Sequence, residues 1–418
     1  MKGSITCSQM PSSCLTRHKS PLRSKIKYLK IRNYVYLNTH TGSFNSTSLY
    51  LLAFDRSSSK LSVCLTVPAY GPHQYLYYDR TRQRVYATTW ALPAQLSSWS
   101  IDLKSLKLEL VNTVPITSTS SYITMNDQTL YSVGGPTGEL HRLDKDSGLI
   151  EEKIQEILFV PPSDLINEDR TRKALRYGSH AIEINRITNQ AFVAHLGHNS
   201  IFMYEVDPDT KTLRLITETK SPRPHDGPRH CVISEDGRWL YVVTEHTQFI
   251  DLYKIEPDSL VYQTSTSIIP SDQSLDISFD PDDYRGDTIR ILPTLLKQTL
   301  FASTTDKETW MSKNYIFATT RGKDPQHPGV LAVLEQDSNY LKLLSLWPTP
   351  TSGGKANAIE FRIHGDENDS RILIVLTDDE VGWVMVLEWN PFFEAPIKLI
   401  SKTLIDEPGI GASHAVWL

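Results

Sequence analysis

Hydrophobic positions along the chain fall into many short runs that alternate with polar turns, and helical periodicity is scarce. One pattern recurs, as in LLAFDRSSSKLSV and MYEVDPDTKTLRL: an apolar strand ends in an acidic residue or asparagine, and a second strand follows a short polar turn. The residues that mark these turns are Asp55, Asp102, Asp144, Asp207, Glu256, Glu335 and Asn390. Short β-rich runs between turn residues predict strands rather than helices.

The spacing of the copies predicts the fold. Successive turn residues are about 40 to 80 positions apart, and four strands in each period of about 40–50 residues are typical of β-propeller blades. A four-stranded blade buries its faces only against neighbouring blades, so a ring of blades closes the core. The sequence therefore predicts an all-β protein, a single seven-bladed β-propeller over residues 27–418. Two β-sandwiches in tandem are the alternative.

Two intervals are long enough to contain insertions, at residues 155–176 and 266–313. Long loops in a compact fold commonly form lids or binding loops. We therefore expect the functional site on the face of the propeller that carries both insertions.

Composition narrows the class of protein. The chain has 418 residues, 39% of them hydrophobic, and a net charge of −5, which gives no electrostatic reason to expect nucleic acid as a partner. No apolar run reaches the roughly 18 residues of a membrane helix. The four cysteines lack zinc or CxxC spacing, which indicates reduced thiols and no metal site. His195 and His198, in AHLGHN, are interpreted as loop residues rather than metal ligands.

The first residues differ from the rest because no Asp or Glu precedes Asp55, whereas Lys and Arg are frequent. We interpret residues 1–26 as a disordered basic extension of a cytoplasmic protein. An acid-free basic start is also typical of mitochondrial presequences, which is the alternative localisation.

Residues 227–245, GPRHCVISEDGRWLYVVTE, predict a β-hairpin that turns at Asp236-Gly237. In that register Ile233 pairs with Leu240, Arg229 pairs with Thr244, and Glu245 lies diagonally beside Arg229 at the open end. A structural ion pair is one interpretation. The other is a functional pair at the mouth of the central channel.

Two further residues favour the functional interpretation. His180, in YGSHAIEIN, and Arg321, in NYIFATTRGKD, fall at comparable positions near the openings of the flanking blades. Two arginines, a histidine and a glutamate that converge on one channel would form a site for an anionic substrate that needs proton transfer.

At these residues the sequence resembles a known family over about residues 28–418. The stretches PTPTSGGKANAI, LTDDEVGWVMVLEW and DEPGIGASHAVWL carry the resemblance. They are similar to the fungal 3-carboxy-cis,cis-muconate lactonizing enzymes, which belong with the bacterial-type 6-phosphogluconolactonases, a superfamily of seven-bladed propellers.

The resemblance implies an intramolecular lactonisation of 3-carboxy-cis,cis-muconate in aromatic catabolism, without cofactor or metal, in a homo-oligomer. It assigns the catalytic roles to His180, Arg229, Glu245 and Arg321, and substrate binding to Lys355 and Asn357. The arginines would bind substrate carboxylates. Either Glu245 or His180 would deliver the proton, and since Arg229 lowers the pKa of Glu245, His180 is the favoured donor.

The chain departs from its relatives at three positions: Gly227 and Lys355 each stand where the family has histidine, and His195 stands where lactonases commonly have aspartate. These departures leave two other functions open. One is a 6-phosphogluconolactonase-like hydrolase that uses the basic residues Arg170, Arg172 and Lys173 to bind phosphate. The other is an inactive propeller that serves as a binding scaffold. The C-terminal stretches favour the cycloisomerase.

Overall fold

A computed structural model describes residues 26–35, 48–72, 75–270, 280–302, 304–363, 370–405 and 410–418. The predicted basic extension lies outside the described residues except for Ile26, which opens the first strand.

Strands dominate the described part of the chain. The first fourteen are β1 (Ile26–Val35), β2 (Ser48–Asp55), β3 (Lys60–Pro68), β4 (Leu76–Asp79), β5 (Arg84–Ala87), β6 (Gln95–Asp102), β7 (Lys107–Pro115), β8 (Tyr122–Asn126), β9 (Thr129–Gly134), β10 (Thr137–Leu143), β11 (Ile150–Leu158), β12 (Ser179–Asn185), β13 (Gln190–His195) and β14 (Ser200–Val206). The others are β15 (Leu213–Lys220), β16 (Pro228–Ile233), β17 (Trp239–Thr244), β18 (Phe249–Ile255), β19 (Leu260–Ser267), β20 (Tyr284–Ile291), β21 (Asn314–Gly322), β22 (Val330–Asp337), β23 (Tyr340–Pro348), β24 (Ile359–Phe361), β25 (Ile372–Thr377), β26 (Trp383–Trp389), β27 (Ile397–Leu404) and β28 (Ile410–Trp417).

Helices in the described residues are short. They are the 3₁₀ helices Leu165–Asn167, Arg172–Arg176 and Pro281–Asp283, and the α-helices α1 (Thr294–Leu300) and α2 (Lys307–Ser312). None of them is long and apolar enough to cross a membrane.

The strands form seven four-stranded antiparallel sheets within the described residues. Six are consecutive in sequence, from β4–β7 to β24–β27, whereas in the remaining sheet β28 pairs with β1, which leads on to β2 and β3. The first strands of the sheets contact one another in order, and β28 contacts β4. Apolar side chains fill the space between sheets, as where Leu373 and Val375 pack with Leu52. The predicted all-β propeller is confirmed.

The recurring turn residues have a local role. Asp55 and Asp102 each end the third strand of a sheet, and Asp207 directly follows one. Their side chains accept hydrogen bonds from backbone N–H groups two residues on. Such turns favour Asp and Asn because the short side chain mimics a backbone turn. The prediction for Glu335 was wrong, since Glu335 lies inside β22 and Asp337 ends that strand.

The insertion predicted at 155–176 contains two of the 3₁₀ helices and connects β11 to β12. The insertion predicted at 266–313 is not a single loop, because β20 runs through it. Its first part precedes β20, whereas α1 and α2 follow β20 and lie at the opposite end of the channel. The expectation that both insertions lie on one face was therefore wrong for α1 and α2.

Candidate active site

The hairpin of β16 and β17 contains a β-bulge at the predicted site residue. Ile233 pairs with Leu240 as expected, but Pro228, not Arg229, pairs with Thr244, and His230 pairs with Val243. Arg229 is the extra residue, so the predicted pairing of Arg229 with Thr244 was wrong. A bulge re-aims a side chain and interrupts the ladder, as often happens next to active sites.

Three other strands that line the channel also contain a β-bulge near the same end of the channel. In β12 the pairing skips His180, in β20 two residues that include Asp287 face one partner, and in β28 the pairing skips Ser413. The bulges bring His180, Arg229 and Asp287 to the wall of one small cavity near the strand starts.

Four charged side chains join across two neighbouring sheets. Oε2 of Glu245 lies 3.1 Å from Nε of Arg229, and Oε1 of Glu245 lies 3.0 Å from Nη2 of Arg321. On the other side Oδ1 of Asp287 lies 2.5 Å from Nη1 of Arg229 and 3.8 Å from Nε of Arg321. The two guanidinium groups are thus held side by side by two carboxylates.

Burial sets the protonation states of this cluster. The side chains of Arg229, Glu245 and Arg321 are 6%, 16% and 14% exposed. Burial by itself raises the pKa of Glu245, but Arg321 and Arg229 outweigh it and lower that pKa to about 2. Glu245 is therefore ionised at neutral pH, and it is not a proton donor there.

His180 lies beside the cluster and is almost fully buried. Burial, reinforced by the charge of Arg229, holds the pKa of His180 well below its usual range, so the ring is neutral. Among the described residues neither Nδ1 of His180 nor Nε of Arg321 has a hydrogen-bond partner. Buried polar atoms are rarely left unpaired, and a bound ligand is one explanation.

A layer of rings closes the channel below these residues. Tyr75 stacks between Tyr122 and His414, with ring centroids 4.2 and 3.9 Å apart, and His230 packs edge-on against Tyr122 at 5.1 Å. The cavity between this layer and Arg229 measures about 20 Å³. That is room for about one water.

A second, wider cavity of about 550 Å³ lies below the ring layer, at the ends of the inner strands. Arg290 reaches into it, donating to Glu360 at 2.8 Å and to the hydroxyl of Tyr75. Tyr122 donates to Glu183, whose pKa is raised by burial. The ring layer thus separates two polar sites in one channel.

The two residues predicted to bind substrate lie in different surroundings. Lys355 is half-buried, and its pKa is lowered by burial and by nearby Arg172. Asn357 is buried, and its side chain donates to the carbonyl of Thr320 at 3.0 Å, while its backbone N–H donates to Asp287. Lys355 is therefore partly open to solvent, whereas Asn357 supports the residues that carry the charges.

The backbone and the neighbours of Gly227 leave no room for a histidine side chain at this position. Its φ is +65°, and a Cβ there would lie 2.5 Å from Cδ2 of His246. The His246 ring thus takes up space that a side chain at position 227 would need.

His195 is not a surface loop residue. It ends β13, is buried against Phe159, and accepts a hydrogen bond from the backbone of His198 at 3.1 Å. Across the described residues, no group of three or more His, Cys, Asp or Glu could hold a metal ion.

The structure brings His180, Arg229, Glu245 and Arg321 together as the sequence predicts, and it adds residues that sequence reasoning missed. Sequence reasoning missed Asp287, in DYRGDTIR. The available signal was its position directly after Gly286, because Arg229 likewise follows a glycine, Gly227, closely. His230 directly follows Arg229, and His414 lies in the C-terminal stretch GASHAVW.

Two named proteins are similar to this chain in sequence. A protein of Cutaneotrichosporon cutaneum named muconate cycloisomerase 1 is 28% identical over 396 residues, which cover 90% of this chain and 97% of that protein. A protein of Neurospora crassa named carboxy-cis,cis-muconate cyclase is 28% identical over 210 residues, covering 49% of this chain and 50% of that one. These names confirm the resemblance to the fungal lactonizing enzymes.

The fold has solved counterparts. The periplasmic gluconolactonase of Pseudomonas aeruginosa superposes with a TM-score of 0.66 at 14% identity, covering 93% of this chain and 99% of that one. At this identity the likeness concerns the fold alone. The family model described as "Lactonase, 7-bladed beta-propeller" matches residues 34–278. The chain therefore belongs to this lactonase family of β-propellers.

Proposed function

We propose that the protein is a cycloisomerase that converts 3-carboxy-cis,cis-muconate into a carboxymuconolactone. The observation that carries the proposal is the pair of guanidinium groups, Arg229 and Arg321, held side by side by Glu245 next to neutral His180. Paired guanidinium groups suit a substrate with several carboxylates. The relatives named for muconate cyclisation support the same function.

The substrate would bind at the mouth of the channel, because the cavity below the arginines has room for about one water. Nε of Arg321, without a hydrogen-bond partner among the described residues, would donate to a substrate carboxylate. Glu245 and Asp287 hold both guanidinium groups in place before binding, which reduces the ordering that binding requires.

In the reaction, an oxygen of one substrate carboxylate forms a bond to a carbon of the conjugated diene. The electron pair of that double bond moves toward the conjugated carboxylate, which gains enolate character, and one proton then adds to the carbon beside it. The trianion and one proton give a dianionic lactone. Arg229 and Arg321 would stabilise the negative charge that develops on the enolate.

His180 is the better candidate for the proton donor. Glu245 is ionised, with its pKa lowered to about 2, and so it carries no proton to give. A bound tricarboxylate would offset the charge of the arginines and raise the pKa of His180. The ring would then take a proton from solvent and pass it to carbon, while Glu245 keeps the arginines aligned.

In this proposal the seven four-stranded sheets are the seven blades of one propeller domain. The contacts that run from β4 round to β28, and the return of β28 to pair with β1, support this arrangement. Closing the ring with strands from distant parts of the chain protects the edges that a propeller would otherwise expose.

A direct assay offers the protein three substrates in parallel: 3-carboxy-cis,cis-muconate, cis,cis-muconate and 6-phosphogluconolactone. We expect loss of the diene absorbance of the carboxymuconate and a lactone product. The variant R229Q should lose this activity, whereas R214Q, at an exposed arginine, should keep it. Turnover of 6-phosphogluconolactone alone would instead establish the hydrolase alternative.

A further inference from the structure

The wide cavity of about 550 Å³ lies at the end of the channel opposite Arg229. Two inner strands show this arrangement. In β12, His180 lines the small cavity and Glu183 lines the wide one, and in β20 the corresponding residues are Asp287 and Arg290. The volume falls within the range of about 300–1,000 Å³ that is usual for small-molecule sites. The wide cavity is therefore large enough for a ligand of its own.

Most of the residues that line the wide cavity are apolar or aromatic. Ile123, Phe361 and Trp417 are buried in its wall. Two further isoleucines, Ile187 and Ile363, also line it and are 62% and 39% exposed. An apolar wall with a few polar groups is the usual composition of a site for a small organic molecule.

The charges around the wide cavity balance. Among the described residues its lining contains three arginines and three glutamates, namely Arg80, Arg186, Arg290, Glu183, Glu235 and Glu360. Neither sign of charge is in excess, and burying a ligand charge without a partner is costly. The lining therefore favours an uncharged ligand.

Several of these charged groups already have partners within the protein. Nε of Arg290 donates to Glu360 at 2.8 Å. Oε1 of Glu235 accepts from the backbone N–H of Thr294 at 3.0 Å. These groups have less capacity left for a ligand, so they are not the ones that would orient it.

Glu183 differs from them because it has only one hydrogen-bond partner in the described part of the chain. That partner is the hydroxyl of Tyr122, which donates to Oε1. Burial raises the pKa of Glu183, which favours the protonated carboxyl group. A carboxyl group both donates and accepts hydrogen bonds when it is protonated, as a hydroxyl group does. Glu183 therefore suits a ligand hydroxyl.

We propose that the wide cavity is a second binding site, which takes an uncharged ligand with an aromatic ring and a hydroxyl group that is hydrogen-bonded to Glu183. A simple phenol is the model compound. Its ring would pack against Phe361 and Trp417, since aromatic rings favour one another's edges and faces. The ring layer with Tyr75 lies between this site and Arg229, so the site does not depend on the proposed reaction.

The test measures binding to the full chain by calorimetry. The probes are p-cresol, 4-methylbenzoate and 4-methylbenzylammonium, which share one ring and carry a neutral, a negative and a positive head group. We expect p-cresol to bind at least about tenfold more tightly than either charged probe, because neither charge finds an unpaired partner in the cavity. No binding of p-cresol, or equal binding of a charged probe, would overturn the proposal.

Variants locate the bound probe. Glu183→Leu should weaken p-cresol binding by about tenfold, as for loss of one hydrogen bond. Ile184→Trp, which fills part of the cavity, should weaken it by at least as much. The matched control is Glu205→Leu, at an exposed glutamate in β14 of the same sheet, and it should bind as the parent does. Circular dichroism melts establish that each variant is folded.

R229Q separates this site from the candidate active site. It should bind p-cresol as the parent does, because Arg229 lines the other cavity. Loss of binding in R229Q, or unchanged binding in both Glu183→Leu and Ile184→Trp, would place the probe elsewhere and overturn the proposal. Conversion of 3-carboxy-cis,cis-muconate, or its absence, leaves this outcome unaffected.

Discussion

Glu245 and Arg321 form an ion pair between two sheets of the propeller, with Oε1 of Glu245 lying 3.0 Å from Nη2 of Arg321. The pair joins residues 76 positions apart in the sequence. Because Glu245 also holds Arg229 at 3.1 Å, one carboxylate fixes the separation of two guanidinium groups.

Glu245→Gln should therefore change binding and turnover in opposite directions. Removing the negative charge leaves two buried arginines that attract an anionic substrate more strongly but are no longer aligned. We expect kcat to fall about 100-fold while KM for 3-carboxy-cis,cis-muconate stays level or falls. The free energy of unfolding should drop by about 3 kcal/mol. Glu205→Gln, in the exposed pair with Arg214, should change neither. A rise in KM with unchanged kcat would contradict this role.

Arg229 and Arg321 should differ in their tolerance of lysine. Arg229 uses Nε for Glu245 and Nη1 for Asp287, a fork that one ammonium cannot reproduce. Arg321 has one close partner, at 3.0 Å. We expect R229K to lose at least about 100-fold in kcat/KM and R321K about tenfold. Steady-state kinetics of the two variants decides this, and a larger loss in R321K would be inconsistent with the geometry.

Asp287 should act as a positioning residue through Arg229. The substitution Asp287→Asn keeps the shape but weakens the hold on the guanidinium, and we expect kcat to fall by about tenfold or more. The pH profile of kcat should shift as well, since the charge of Asp287 partly offsets Arg229 beside His180. Loss of stability with an unchanged pH profile would assign Asp287 a structural role alone.

His195 should make the stability of the protein sensitive to acid. Burial lowers its pKa to about 3 in the folded state, against about 6.5 in the unfolded chain. Between these values the unfolded state binds the extra proton, so this residue removes stability as pH falls below about 6.5, by up to about 1.4 kcal/mol per pH unit. Urea unfolding from pH 7 to 5 should show a shallower decline in His195→Asn. An unaltered slope in His195→Asn would refute the prediction.

Gly227 and His246 should depend on each other. A side chain at position 227 meets a left-handed backbone and the His246 ring. We expect Gly227→His to lower the free energy of unfolding by about 1–3 kcal/mol. Adding His246→Ala should recover part of that loss, because it removes the ring while the backbone strain remains. A double variant no more stable than Gly227→His would show that the ring is not the obstacle.

The sequence predicts much of the propeller because its turns rely on local chemistry. Asp102 and Asp207 bind the backbone N–H groups of their own turns, so the residue type marks the turn wherever the rest of the chain lies. Glu335 was misplaced because the longer glutamate side chain is a weaker marker of a turn than Asp337, two positions on.

The site was predicted in part for a similar reason. Arg229 and Glu245 lie on one hairpin, so their approach follows from local pairing. The contact of Arg229 with Asp287 depends on bulges in two strands and on the packing of two sheets, which no short stretch of sequence reveals. The ring layer under the site brings Tyr75 together with His414 from almost the other end of the chain, a contact that only closure of the ring creates.

Turnover of 3-carboxy-cis,cis-muconate in D₂O, followed by NMR of the product, tests the proposed cycloisomerisation most directly. Lactonisation adds one solvent proton to carbon, so the product should be a carboxymuconolactone with one carbon-bound deuterium beside a carboxylate. The variant R229Q should give none of it. Unchanged carboxymuconate after incubation with the parent protein, or a lactone product without carbon-bound deuterium, would contradict the account.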